Sequence, residues 1–292
     1  MNEMNEIKYD LHCHSSASDG ALTPHEVVLR AKEHGVTTLA LTDHDTIAGL
    51  AQARQAANEN NLKLISGIEL SCTWNKRTFH ILGLDIDPNN AELLKGIQTL
   101  QDTRLERAHK IAHKLEKNKV PGALDAVLEA AGSGMITRSH FADFLLKNNY
   151  VSTMQGAFDH YLGQSKSAFV NTQWAELDNA INWIIKAGGC AVVAHPLRYK
   201  LTASWMRRFL TAFKEYGGQG MEIITGRSNP DEVRRAAHFA AQFELYGSIG
   251  SDFHNPKNQW VELGRLATLP TNIRPVWQLF TPEKINIIKT MN

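Results

Sequence analysis

Short apolar runs rich in β-branched residues alternate with longer amphipathic segments, and this alternation limits the possible folds more than any other feature. Between the apolar runs lie helical patterns such as PHEVVLRAKEHG, in which Thr23 and Pro24 suit a helix start and Gly35 suits its end. The predicted strands are IKYDLH, TTLALTD, LKLISGIEL, TFHILGLDI, CAVVAH, GMEIIT and LYGSIGSD. Repeated β-α alternation predicts an α/β fold with a mainly parallel sheet or barrel.

The middle of the chain departs from this pattern. LKGIQTLQDTRLERAHKIAHKLEKNK predicts one long amphipathic helix, and ALDAVLEAAG, SHFADFLLKNN and TMQGAFDHYLG predict shorter ones. We therefore predict that residues 1–89 form the first part of a barrel, 90–172 a helical, substrate-binding insertion, and 173–292 the second part of the barrel.

Composition excludes some functions. The formal net charge is +1, which argues against a broadly basic nucleic-acid coat and against a membrane-surface protein. MNEMNEIKYD lacks the apolar core of a signal peptide, and no apolar run is long enough to span a bilayer. The three cysteines lie far apart without a CxxC pair, so we expect buried thiols and a cytoplasmic location. We expect no obligate protein partner.

Metal-ligand residue types lie at or near the ends of nearly all the predicted strands. His12 and His14 are two residues apart, a spacing that projects both from one face of a strand, and Asp252 and His254 repeat it. The C-terminal strand ends of a β/α barrel converge on one face, so these side chains are expected to meet. The candidates are His12, His14, Asp19, His44, Glu69, His80, His195, Asp252 and His254. They exceed the needs of one tetrahedral ion, so two or three ions bridged by Glu69 fit better.

A lone histidine beside an apolar strand is more often a hydrogen-bonded core residue than a ligand, so no single position carries the interpretation. His109 and His113 have metal-competent helical spacing, but HKIAH lacks the glutamate of HExxH, and we expect helix-face residues there. The regular placement of imidazoles and carboxylates at successive strand ends is what indicates a metal site.

The segments DLHCHSSASDG, LALTDHDT, GIELS, FHILGL, VVAHP and GSDFH resemble the motifs of the PHP (polymerase and histidinol phosphatase) family of metal-dependent phosphoesterases. The resemblance implies a distorted seven-stranded (β/α) barrel of PHP type with an α-helical insertion. It implies one ion held by His12, His14, Glu69 and Asp252, and a second held by Glu69, His80 and His195. A third would be held by Asp19, His44 and His254.

Within the family, the insertion segments PGAL, ITRSHFADFL and YLGQSKSAFVNTQW, together with AHPLRY and WVELGR, resemble a bacterial group with two activities. Its members remove the 3′-phosphate of nucleoside 3′,5′-bisphosphates such as pAp and act as 5′-to-3′ exoribonucleases. The resemblance therefore implies these bisphosphates and 5′-phosphorylated RNA ends as substrates. It also implies Mn²⁺ as the metal, although mixed imidazole and carboxylate ligation is also compatible with Zn²⁺ or Fe²⁺.

The expected mechanism is attack on phosphorus by a hydroxide held in the metal cluster, with His195 or His254 assisting proton transfer. Arg138, His140, Lys166 and Arg198 are predicted to bind the substrate phosphates, since guanidinium and ammonium groups match phosphate oxygens. Trp174 or Tyr199 could stack on the base or belong to the core.

Two other functions remain open from the sequence. One is a phosphatase of a small molecule, similar to histidinol phosphatase, whose monophosphate substrate needs no second phosphate clamp. The other is a non-catalytic metal-binding regulatory module, against which the complete set of predicted ligands argues.

Overall fold

The computed structural model describes residues 7–132 and 134–281 of the 292-residue chain. The strands are β1 (Tyr9–Asp10), β2 (Thr38–Leu41), β3 (Lys63–Trp74), β4 (Arg77–Leu84), β5 (Ala175–Glu176), β6 (Cys190–Val193), β7 (Gly220–Thr225) and β8 (Tyr246–Gly250). The α-helices are α1 (Pro24–Glu33), α2 (Leu50–Glu59), α3 (Ala91–Lys117), α4 (Ala123–Ala131), α5 (Arg138–Lys147), α6 (Met154–Ala157), α7 (Leu177–Lys186), α8 (Ala203–Glu215) and α9 (Pro230–Gln242). A π-helix (Phe158–Leu162) follows α6, and two 3₁₀ helices span Pro196–Tyr199 and Val276–Leu279.

Seven strands form one curved sheet in the order β1-β2-β3-β4-β6-β7-β8. Neighbours are parallel except that β4 runs antiparallel to both β3 and β6. These seven strands match the seven predicted from the sequence. The eighth, β5, pairs with the end of β3 and lies off this path.

The first and last strands meet along a seam that nearly closes the sheet into a barrel. Leu11 N donates to Ile249 O (3.0 Å), and His14 N donates to Phe253 O (2.9 Å). Cys13 and Phe253 form an isolated parallel bridge beyond the strand ends. The predicted distorted seven-stranded barrel is thereby confirmed.

Local sequence explains where the outer helices begin. At α1, the Thr23 side chain accepts from Glu26 N, and the Glu26 side chain accepts from Thr23 N. Pro24 occupies the first turn, where its missing N–H costs nothing. At α9, Asn229 and Glu232 form the same reciprocal cap. These caps place the helices over the apolar faces of the strands.

Helices α3 to α6 lie between β4 and β5 and have a hydrophobic core of their own, which includes Ile111, Leu115, Phe141 and Leu145. Helix α3 also packs against α7, where Gly96 leaves no room for a side chain beside Trp183. Among the helices in the described part of the chain, none combines the length and apolar character that a membrane span requires.

Candidate metal centre

All nine candidate ligands meet at one end of the barrel. His12 and His14 follow β1, His44 follows β2, His195 follows β6, and Asp252 follows β8. Carboxyl ends of parallel strands share one edge, so these positions converge. Glu69 and His80 come from the antiparallel pair β3 and β4, and Asp19 and His254 lie on the loops after β1 and β8.

Four donor atoms form a compact group at the centre of this end. His12 Nε2 and His14 Nε2 are 3.1 Å apart. Each of these nitrogens lies close to Glu69 Oε2 and to Asp252 Oδ1, at 3.3 Å for His12 and 3.2 Å for His14. Donors bound to a tetrahedral ion at about 2.0–2.1 Å lie about 3.3 Å from one another. The spacing of this group therefore fits a single cation.

Glu69 connects this group to a second one. Its Oε1 atom lies 3.0 Å from His80 Nδ1 and 3.0 Å from His195 Nε2. The two oxygens of one carboxylate thus face different imidazole sets, as a bridging carboxylate between two ions requires.

A third group surrounds Asp19. Its Oδ1 atom lies 3.4 Å from His254 Nε2 and 3.9 Å from His14 Nδ1. His44 joins this group but also places Nδ1 3.1 Å from Glu69 Oε2, beside His80. His44 is thus shared between two groups, whereas the sequence placed it only with Asp19 and His254. The assignment of ligands to individual ions stays a prediction.

The chemistry of these groups fits bound cations. Within the described residues, five buried donor or acceptor atoms of the cluster make no hydrogen bond of acceptable geometry, although some lie near a carboxylate oxygen: His14 Nδ1, His44 Nδ1, Glu69 Oε2, His80 Nδ1 and His195 Nδ1. Unpaired buried polar atoms are costly, and a metal ion can satisfy such atoms. The arrangement is therefore better suited to metal coordination than to a closed hydrogen-bond network.

Electrostatics favours the same interpretation. Burial alone would lower the pKa of His12, but Glu222, Glu69 and Asp252 together hold it well above its usual value. Burial lowers the pKa of His44 well below its usual value and also lowers that of His195. Neutral imidazoles are the form that binds metals, and a cation bound at His12 would replace the proton that the nearby carboxylates favour there.

Glu222, in the interior of β7, is a site residue that the sequence analysis missed. Its Oε1 accepts from His12 Nδ1 (3.0 Å), and its Oε2 accepts from His195 N (2.6 Å). A carboxylate on the far nitrogen of a ligand histidine fixes the ring and its tautomer. The available signal was a lone acidic residue within the apolar run GMEIIT.

Asp43 holds the loop that carries Asp19. It accepts from Ser15 N (2.7 Å), Ser15 Oγ (2.7 Å) and Ser18 Oγ (2.6 Å). Asp43 had no predicted role, although it precedes the predicted ligand His44. Its hydrogen bonds explain Ser15 and Ser18 of SSASDG, which shape the loop between two ligand positions.

Two candidate ligands have left-handed backbones, with φ of 30° at His195 and 55° at Asp252. Such backbones are uncommon for residues other than glycine and persist where surrounding contacts fix them. Asp252 N donates to His12 O (2.8 Å), and Glu222 holds His195 N. The position of Gly250 leaves no room for a side chain, because a Cβ there would lie 2.3 Å from the Cβ of His12.

Three arginines line a cavity of about 160 Å³ beside the cluster, which we call the arginine pocket. Arg104 and Arg107 come from α3, and Arg138 is the first residue of α5. On its other side, the pocket is lined by Asp19, His44 and His80. Ser139 Oγ donates to Asp19 Oδ2 (3.1 Å), so α5 contacts the candidate metal centre directly.

The positive charge of the arginine pocket is only partly compensated. Arg104 pairs with Asp45 (Nε to Oδ2, 2.6 Å) and donates to Ser71 Oγ. Arg107 is buried and has no ion pair within the described residues; its guanidinium lies 4.7 Å from the centre of the Trp174 ring. Burial, together with the charges of Arg104 and Arg138, lowers the pKa of Arg107 well below its usual value. A bound anion would compensate the positive charge of Arg107.

The predicted phosphate-binding residues occupy different environments. Arg138 lines the arginine pocket. His140 Nδ1 accepts from Thr137 N (3.1 Å) as part of the α5 cap, which leaves only Nε2 for a substrate. Lys166 is exposed, and its side chain has no hydrogen bond or ion pair with any described residue. Arg198 contacts Asp252 through Nη1. The structure thus brings Arg138 and Arg198 to the cluster, whereas Lys166 shows no contact with it.

The two candidate stacking residues are largely packed. Tyr199 is partly buried, its ring packs on Phe79, and its hydroxyl accepts from His80 N (2.9 Å). Trp174 is buried, carries the guanidinium of Arg107 on its ring, and lines the arginine pocket. Both side chains contact site residues, Tyr199 through its hydrogen bond with His80 and Trp174 through the guanidinium of Arg107.

Comparison with known proteins matches residues 10–192 to the PHP domain. A protein from Haemophilus influenzae named 5′-3′ exoribonuclease is 46% identical, with 94% of this chain and 99% of that protein covered. A protein from Chromobacterium violaceum named 3′,5′-nucleoside bisphosphate phosphatase is 40% identical, with 92% and 95% covered.

Two solved structures are similar over nearly the whole chain. One, described as an amidohydrolase from Chromobacterium violaceum with bound sulfate and no metal, has a TM-score of 0.88 and 40% identity. The match covers 93% of this chain and 95% of the chain in that structure. The other, described as a metal-dependent phosphoesterase from Bifidobacterium adolescentis, has a TM-score of 0.79 and 26% identity, with 94% and 97% covered.

Proposed function

This chain belongs to the PHP domain family, and we propose that it is a metal-dependent phosphoesterase with two related substrates. It removes the 3′-phosphate of nucleoside 3′,5′-bisphosphates, converting pAp to AMP and phosphate. It also releases 5′-mononucleotides from 5′-phosphorylated RNA, acting as a 5′-to-3′ exoribonuclease. The names of the relatives from Haemophilus influenzae and Chromobacterium violaceum support the two activities.

The observation that carries this proposal is the arginine pocket beside the metal ligands. A phosphatase of simple monophosphates needs only the cluster that holds the reacting phosphate. The arginine pocket offers a second site, one that binds an anion. Its arginines are Arg104, Arg107 and Arg138, and it shares a cavity with Asp19, His44 and His80. Guanidinium groups match the oxygens of a phosphate in a planar fork. We assign this pocket to the 5′-phosphate, which places the 3′-linkage of the same nucleotide at the cluster.

We propose that two or three divalent ions, preferably Mn²⁺, bind the imidazole and carboxylate donors of the cluster. Zn²⁺ and Fe²⁺ also suit this donor set. Divalent ions in such sites neutralise phosphate charge and make a water molecule nucleophilic. Glu69 would hold an ion on each side, because its Oε2 lies near His14 and its Oε1 near His80.

The remaining steps belong to residues of this chain. Arg138 orients the 5′-phosphate, and Arg198, beside Asp252, contacts the reacting phosphate. His195 and His254 lie at the edge of the cluster, where either could pass a proton to the leaving 3′-oxygen. Residues 90–172 supply the arginine pocket and thus serve as the substrate-binding insertion between barrel parts 1–89 and 173–292. Cys13, Cys72 and Cys190 are buried thiols that form no disulfide within the described residues, which supports a cytoplasmic location.

Product analysis with the Mn²⁺-loaded protein tests this function. The substrates are pAp, 5′-phosphorylated RNA and the same RNA with a 5′-hydroxyl. We expect AMP from pAp, 5′-mononucleotides released in order from the 5′ end of the phosphorylated RNA, and little product from the hydroxyl form. His254→Ala should abolish both reactions, whereas His109→Ala, on the exposed face of α3, should not. Internal cleavage, or equal rates on the two RNAs, would contradict the proposal.

A further inference from the structure

Two cavities reach the candidate metal centre from different directions. The arginine pocket reaches it through Asp19, His44 and His80. A second cavity, of about 550 Å³, reaches it through His195, Arg198 and Glu222. The two cavities share no lining residue within the described chain. A nucleotide whose 5′-phosphate fills the arginine pocket and whose 3′-linkage lies at the cluster therefore leaves the second cavity free for the next nucleotides.

The second cavity continues onto the protein surface. Its lining includes Arg227 and Ser228, which also line a third, more open cavity of about 450 Å³. Trp260 forms the other side of this third cavity. Together the two cavities form one groove, which we call the exit groove, running from His195 and Arg198 past Arg227 to Trp260.

Trp260 is unusual for its exposure. Its relative exposure of 75% is the highest among the large hydrophobic residues within the described chain. Arg227 is also exposed and forms no ion pair with a described residue. An exposed indole beside an unpaired guanidinium is the combination that binds single-stranded nucleic acid, by stacking on a base and by attraction to the backbone.

The groove walls are held in place. Gly226 N donates to Ser251 O (3.1 Å), and a Cβ at Gly226 would lie 2.4 Å from that oxygen. Ser228 Oγ accepts from Thr225 N (2.9 Å), which closes the turn that carries Arg227. Trp260 N donates to Asn258 Oδ1 (3.3 Å) in the loop that follows Asp252 and His254. Trp260 thus follows the strand end that carries Asp252 and His254, and the turn of Arg227 is hydrogen-bonded to that strand end through Ser251.

We propose that the exit groove binds the RNA nucleotides on the 3′ side of the cleaved linkage, with Arg227 contacting the backbone and Trp260 stacking on a base. This assignment rests on the proposed function and adds a subsite to it. RNA occupies the groove, whereas pAp ends at the cluster and leaves it empty. The groove therefore distinguishes RNA hydrolysis from bisphosphate hydrolysis at a single metal centre.

The experiment compares kcat/KM of Mn²⁺-loaded variants on pAp, a 5′-phosphorylated dinucleotide and a 5′-phosphorylated eight-nucleotide RNA. We expect Trp260→Ala and Arg227→Ala each to lower kcat/KM on the eight-nucleotide RNA by about 5-fold or more. The rate on pAp should stay unchanged, and the dinucleotide should show a smaller loss. Trp260→Phe should restore most of the activity because it keeps a ring for stacking.

Tyr216→Ala provides the matched control, because it removes an exposed ring where α8 ends, at the opposite end of the barrel. Melting temperatures of all variants establish that they fold. If the wild-type protein degrades RNA and the Trp260 and Arg227 variants do so at equal rates, the exit groove assignment is overturned and the proposed function stands. If the wild-type protein hydrolyses pAp but not RNA, the exoribonuclease function and the groove assignment both fail.

Discussion

At the scale of single residues, the presence or absence of an ion pair at a buried arginine distinguishes a structural residue from a candidate binding residue. Arg104 has Asp45 as an ion-pair partner, whereas Arg107 is buried with an aromatic ring beside it and forms no direct ion pair with a described residue. A buried ion without a direct counter-charge destabilises a protein. We propose that binding of the substrate 5′-phosphate compensates the charge of Arg107.

Arg107→Met should therefore stabilise the free protein while it weakens substrate binding. A neutral side chain of similar length removes the uncompensated charge, and we expect Tm to rise by about 3 °C or more. kcat/KM on pAp should fall by about 10-fold or more, because a charged hydrogen bond to phosphate is lost. Thermal unfolding and steady-state kinetics measure the two effects. Lys95→Met, on the exposed face of α3, should change neither, and a lower Tm for Arg107→Met would contradict the assignment.

Arg138→Ala should discriminate between substrates. We expect a loss of about 10- to 100-fold in kcat/KM on pAp, because the 5′-phosphate loses a charged partner. p-Nitrophenyl phosphate has no second phosphate and should be hydrolysed at nearly the wild-type rate. Lys147→Ala, at the other end of α5, serves as the control. Equal losses on both substrates would show that Arg138 acts on the reacting phosphate instead.

The sequence predicted most of the cluster because strand ends follow a regular pattern. His12 and His14, or Asp252 and His254, stand out by their spacing and by the apolar runs before them. Arg104 and Arg107 do not, because charged residues on a long amphipathic helix usually face solvent. Only the packing of α3 against Trp174 turns them inward. Glu222 was missed because its role depends on β1 and β6, which lie far from it in the sequence.

At the scale of elements, β7 positions ligands that lie on other strands. Glu222 joins the end of β1, through His12, to the end of β6, through the backbone of His195. One side chain therefore sets the relative positions of two ligands without being one of the nine predicted ones.

Glu222→Gln should weaken metal binding by about 10- to 100-fold, as is typical when the partner of a ligand histidine is altered. Glutamine offers one acceptor oxygen, whereas His12 Nδ1 and His195 N each need one. Mn²⁺ titration measures the affinity, and saturating Mn²⁺ should restore much of the activity. Glu215→Gln, on the exposed end of α8, is the matched control. Unchanged Mn²⁺ affinity in Glu222→Gln would exclude the positioning role.

The strands themselves were more predictable than their lengths. Seven were found because their apolar runs are short and bounded by turn residues, but IKYDLH contributes only Tyr9–Asp10 as a strand. Beyond Asp10 the pairing continues only as single hydrogen bonds and an isolated bridge at Cys13, so the regular ladder ends early. Strand β5 has two residues, Ala175–Glu176, which pair with Cys72 and Thr73 near the end of β3. Such short pairings leave no periodic signal.

At the scale of the whole molecule, the candidate metal centre brings three carboxylates, Asp19, Glu69 and Asp252, together at one end of the barrel. Several imidazole nitrogens beside them make no hydrogen bond within the described residues. Ions that bind only the folded state should therefore contribute to global stability as well as to chemistry.

Removal of metal should thus lower the thermal stability of the whole protein. At free Mn²⁺ concentrations about 100 times Kd, each site contributes about 2.7 kcal/mol. For a domain of this size that corresponds to a fall in Tm of about 5 °C or more after chelation. Differential scanning calorimetry measures the change, and readdition of Mn²⁺ should reverse it. Asp19→Asn should reduce the difference between the loaded and chelated protein, whereas Asp102→Asn, on α3, should preserve it. An identical Tm with and without metal would contradict metal binding at this cluster.

The pairing of β1 with β8 determines when the metal ligands can come together during synthesis. His12 and Asp252 lie 240 positions apart in the sequence, so a ribosome makes His12 long before Asp252 and His254. The first group of donors needs both strands of the seam, because Leu11 and Cys13 reach their partners only when Ile249 and Phe253 are present. We therefore expect a growing polypeptide to lack the complete donor set, and RNA hydrolysis to begin only after β8 has been made and pairs with β1.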